Sequence, residues 1–231
     1  GMTTYAWPEA WGVNRFEMRV QSNQQAFPSL FSPSTVQVVD LGGDYWVASF
    51  AIPSSVSKVY GAQLEAFINR LRGRQNSVSL FHMRRPTPRG TLGAGSAATW
   101  STSTPATAIW STSTPATATW TAGTPALRYA LAQFATSGTI STLPGRTMLA
   151  GDLFGLANGQ TVMQLVDTVA DANGDMPIEF APAARSAVAA FSYITYDRPT
   201  VAFRLRDGEA PPVVWRPGMF EGISLELVEA T

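Results

Sequence analysis

His82 is the one imidazole in the chain, and no cysteine accompanies it. A serine-type hydrolase needs a histidine base held between a nucleophile and an orienting acid. No serine sits in a nucleophile elbow with glycine on both sides, and His82 lies beside Phe81 and Met83 in an alternating segment. A structural role is therefore expected for it. One histidine and no cysteine also exclude a multi-histidine or thiolate metal site within a chain, a thiol nucleophile and a disulfide framework.

Other residues have spacings that invite chemistry. Asp171, Asn173 and Asp175 look like a fragment of a calcium loop. An EF-hand needs glycine at its sixth position and glutamate at its twelfth. Gly174 falls at the fourth and Pro182 at the twelfth, so a turn is expected instead. Asp152, Asp167 and Glu179 could supply the carboxylate pair of a glycosidase, but nothing in their spacing brings two together. No catalytic, cofactor or metal residue is assigned.

Arg70, Arg72, Arg74, Arg84, Arg85 and Arg89 form a local basic patch. Sixteen basic residues balance sixteen acidic ones overall. Up to Arg89, however, nine basic residues stand against five acidic, a net +4, and the remainder carries −4. That split is a candidate head-to-tail interface, a basic face on one subunit meeting an acidic face on the next. Trp100, Trp110 and Trp120 recur in register in ten-residue repeats. Flat indoles among serines and threonines suit the apolar face of a sugar ring, and equally suit packing within a repeated hairpin.

Charged residues make up only 14% of the chain, and the net charge is zero. There is no electrostatic footprint for nucleic acid or an anionic membrane. No stretch approaches the ~20 apolar residues of a membrane span, and the opening residues lack the order of a secretory signal. The apolar fraction of 45% supports a folded core.

The elements that must position these residues are mainly strands. An edge strand is expected at 16–20, a Pro/Ser-rich loop near Pro28–Ser34, and strands at 36–39 and 45–52 joined by a hairpin turn at 40–44. The only convincing helix spans 57–72, with Tyr60, Leu64, Phe67, Ile68 and Leu71 on one face. Ser55 or Ser57 can cap its start, and Gly73 is expected to supply the left-handed stop. A strand over 77–83 follows. No charged residue occurs from Gly90 to Leu127. Beyond the repeats, a long strand at 147–156, a turn at Asn158-Gly159, a returning strand at 160–166 and a strand at 177–180 suggest a small barrel or sandwich. Strands at 200–205 and 220–228 close the chain, the last with Ile223, Leu225 and Leu227 on one face. The fold class expected is mainly β. A β-sandwich or barrel domain with the one helix comprises 2–90 together with 187–231. A small β-barrel-like domain is inserted at 91–186, with the decamers at 99–128.

The order of these segments resembles a known family. It runs from Trp7-Pro8 through Ser32-Pro33 to Tyr45-Trp46-Val47-Ala48, then Ala66-Phe67-Ile68-Asn69-Arg70-Leu71-Arg72-Gly73-Arg74 and Arg85-Pro86-Thr87-Pro88-Arg89-Gly90. Leu149-Ala150-Gly151-Asp152-Leu153-Phe154, Asp171-Ala172-Asn173-Gly174 and Phe203-Arg204-Leu205 follow. This is similar to tail proteins of phages and prophages of proteobacteria, of the distal tail or baseplate-hub kind. Apart from the decamers, the resemblance covers nearly the whole chain. It implies a non-enzymatic virion component, placed in the tail after assembly in the host cytoplasm. It implies a homo-oligomer, by analogy a hexameric ring, bound to other tail proteins, with no cofactor, nucleic acid or membrane partner. A carbohydrate-binding module acting through the repeat tryptophans is the alternative, and a cell-wall hydrolase a third.

Overall fold

The computed structural model describes residues 2–8, 11–28, 36–40, 43–92, 124–207 and 211–230. The fold is mainly β, with curled sheets forming a half-barrel. Its first part contains β1 (Thr4–Ala6), β2 (Arg15–Gln21), β3 (Gln24–Pro28), β4 (Val36–Asp40), β5 (Tyr45–Ile52), α1 (Lys58–Leu71) and β6 (Ser77–Phe81). Next come β7 (Ala126–Leu127), β8 (Ser137–Ser141), β9 (Thr147–Met148), β10 (Leu153–Gly155), β11 (Thr161–Gln164), β12 (Thr168–Val169) and β13 (Asp175–Ala181). The last four are β14 (Thr200–Leu205), β15 (Trp215–Arg216), β16 (Met219–Phe220) and β17 (Ile223–Glu229).

Two sheets dominate. A six-stranded sheet has the order β1-β6-β14-β17-β5-β2, and a five-stranded sheet has the order β10-β11-β13-β8-β7. Alternation explains the first. Along β5 every second residue is buried, and β17 does the same with Ile223, Leu225 and Leu227. These inward side chains meet the apolar face of α1, where Leu64, Phe67, Ile68 and Leu71 are buried. Trp7 and Trp11 add edge-to-face contacts to Phe67, and Trp7 another to Phe50. Such pairs are worth about 0.5–1.5 kcal/mol each beyond their buried area. A second core, with Ile140, Phe154, Met176 and Phe180 among its members, fills the five-stranded sheet.

Three local expectations change. β4 pairs with β3, antiparallel, and not with the expected β5. β5 pairs with β2 instead, also antiparallel. The Asn23 N–H donates to Asp44 Oδ1 at 3.2 Å. The helix ends one residue earlier than Gly73: Arg72 is already left-handed at φ 47°, and Gly73 continues at 63°. The single strand over 147–156 is broken into β9 and β10, because Gly151 at φ +88° turns the chain between them.

Candidate functional site

His82 follows the end of β6 and is buried. Its Nδ1 accepts the Arg85 backbone N–H at 3.1 Å, and Arg85 Nη2 lies 3.4 Å from Nε2. Phe16 meets the imidazole edge to face. Burial, and then the Arg85 charge, push the His82 pKa down to about 4. A catalytic base needs a carboxylate behind it to steady the imidazolium. Here a guanidinium occupies that place and favours the neutral ring.

Arg85 continues into the five-stranded unit, donating from Nη1 to Gly151 O at 2.9 Å. Arg89 donates to Ala150 O from Nη2, and its backbone N–H donates to Asp152 Oδ1 at 2.9 Å. The N–H groups of Gly90 and Leu149 donate to Asp152 Oδ2. Asp152 is buried, so these bonds replace its hydration. Asp167 Oδ1 accepts the Ala150 N–H at 2.7 Å. Two of the three acids considered for glycoside hydrolysis are thus brought to one loop, 149–152, and spent on pinning it. Glu179 is exposed on β13 and makes no side-chain bond to that loop. The Asp171 carboxylate accepts the N–H groups of Asn173 and Asp175 at 2.8 and 2.9 Å, which closes the turn before β13. Those bonds hold its pKa below the usual aspartate value. Among the described residues no group of three or more His, Cys, Asp or Glu could hold a metal ion.

A second junction was not anticipated. Glu229, only 5% exposed, receives Arg185 in a two-pronged pair and accepts the Trp46 backbone N–H at 2.8 Å. Trp46 Nε1 donates to Thr161 O, and Thr161 Oγ1 to Thr200 O. Gln160 Oε1 accepts the Arg185 N–H. Because the pair spans 44 residues, no local pattern could reveal it.

The six arginines of the expected patch separate into two groups. Arg70, Arg72 and Arg74 sit where α1 ends; Arg84, Arg85 and Arg89 lie past the far end of β6, roughly 17 Å of strand away. Arg70 covers the Tyr5 ring, and Arg74 donates to Arg206 O. Arg85 and Arg89 are committed to the junction, while Arg84 is exposed. Trp100, Trp110 and Trp120 lie outside the described residues.

The outer face of the six-stranded sheet carries a groove of about 340 Å³ over β2, β5 and β17. Its floor is small: Val47, Ser49, Ala51 and Ser224. Its rim is charged: Arg15 pairs with Glu17 and Arg206 with Glu226, each at 3.4 Å, and Arg19 stands beside them. These charges come from strands far apart in sequence, so the basic-cluster reading passed over them. Their one legible sign is the Arg15, Glu17, Arg19 alternation along the edge strand. The chain matches no family model, and a search of curated proteins finds no similar sequence.

Proposed function

We propose that the protein is a non-enzymatic structural component of a phage or prophage tail tip or baseplate. It self-assembles into a ring and binds adjacent tail proteins. The resemblance supplies the identity of the particle. The observation in the structure that supports an assembly role is the outer face of the six-stranded sheet over β2, β5 and β17, where Arg15, Glu17, Arg19, Ser224 and Glu226 are exposed around the groove. The groups with most chemical potential, His82, Asp152 and Glu229, are bonded within the chain, which agrees with a scaffold and not with turnover of a substrate. Light scattering coupled to size exclusion tests the proposal. A discrete oligomer several times the 24.8 kDa chain mass is expected. A strict monomer at high concentration would overturn it.

A further inference from the structure

Strand register shows what the open face presents. Arg19, Val47, Val228 and Arg204 stand in one row across β2, β5, β17 and β14. Glu17, Ser49 and Glu226 form the next row, and Arg15, Ala51 and Ser224 the third. Partners opposite one another in antiparallel strands share a face, so all of these look away from the core. Arg15 and Arg206 are neutralised by Glu17 and Glu226. Arg19 and Arg204 have no ion-pair partner among the described residues, and they leave this face positive.

The five-stranded sheet carries the opposite sign. Along β13, Met176, Ile178 and Phe180 point inward, while Asp175, Pro177 and Glu179 point outward. Across from them on β8 stand Ser141, Thr139 and Ser137. Arg128 pairs with Asp175 at 3.6 Å, but Glu179 has no ion-pair partner among the described residues, and neither does Asp171 on the turn that leads into β13. Both faces have small side chains between their charges, so two such sheets can approach to the ~10 Å of face-to-face packing.

We infer that the outer face of the six-stranded sheet docks the outer face of the five-stranded sheet of a second copy, Arg19 and Arg204 facing Glu179 and Asp171. The two surfaces are different patches of one chain, so the contact is head to tail, and repetition gives a closed ring or an open filament. Charge complementarity fixes the pairing, because like faces would set cation against cation. The inference rests on the self-association reading and specifies its surfaces.

Charge reversal tests it. Arg19→Glu sets a carboxylate against the Glu179 of the next copy, and Glu179→Arg sets a guanidinium against the Arg19 of the next copy. Both positions are exposed, so folding is preserved and is checked by circular dichroism; Arg19→Glu/Arg204→Glu is a stronger variant of the first. At low salt each variant alone is expected to associate roughly tenfold more weakly than the wild type. An equimolar mixture of R19E and E179R is expected to regain association, the introduced carboxylate meeting the introduced guanidinium at one contact and the original pair forming at the next. If the wild type associates and neither variant weakens it, this pairing is overturned and self-association stands. The same holds if the mixture fails to recover. Loss with R19E but not with E179R overturns the pairing too, and points to a different acidic partner for the groove. A wild type that is monomeric overturns the self-association reading itself.

Discussion

His82 carries a pH signature of its own. Unfolded it titrates near 6.5, and folded near 4. Between those values the unfolded chain binds more protons, so stability rises with pH across the window and falls as pH drops through it. The loss is no more than about 3 kcal/mol. His82→Asn is expected to flatten the dependence of denaturant midpoint on pH between 4 and 6.5, leaving the slope of the other groups. Glu229 governs the second junction. Glu229→Ala leaves Arg185 and the Trp46 N–H unpartnered. The expected cost is about 2–3 kcal/mol by urea denaturation. That is below the ~3–5 of a fully buried pair, because Arg185 stays 32% exposed.

At the scale of elements, local patterns explain much. The 3.6-residue spacing from Tyr60 to Leu71 gives α1, and the Ser57 side chain caps it by accepting the Tyr60 N–H. Asn158-Gly159 turns β10 back onto β11, with Gly159 at φ +83°. Asp171 to Asp175 forms the turn that its composition announces, and Gly174 is needed there. At φ +82°, a Cβ on Gly174 would lie 2.0 Å from Thr142 O. Gly174→Ala should therefore cost more than about 1 kcal/mol, read as a lower melting temperature. The pairing among β2 to β5 is less legible. Gly42-Gly43 is a turn signal in isolation, and only the pairing of β4 with β3 and of β5 with β2 shows that β4 and β5 do not form a hairpin. The junctions escaped for a related reason. Arg89 and Asp152 are 63 residues apart, and a cluster of arginines reads as surface charge until its distant acceptors are known.

For the whole molecule, the two junctions bind the sheets into one thermodynamic unit. Backbone carbonyls, a buried carboxylate and a two-pronged ion pair all cross between them. Fluorescence of the buried Trp7, Trp11 and Trp46 follows the first core, read as the change on replacing them by Phe, whereas circular dichroism reports both sheets. The two signals are expected to unfold with one midpoint. Separate transitions for the intact chain would show the junctions too weak to couple the sheets. Strand order has a further consequence, for synthesis. β17 lies between β14 and β5, although it leaves the ribosome after every other described strand. Until then the sheet exists as two fragments, β1-β6-β14 and β2-β5, with no strand to join them. The five-stranded unit has all its strands much earlier. A nascent chain stalled before Ile223 would therefore hold a finished second core beside an unclosed first one, exposing the apolar ground that β17 later covers.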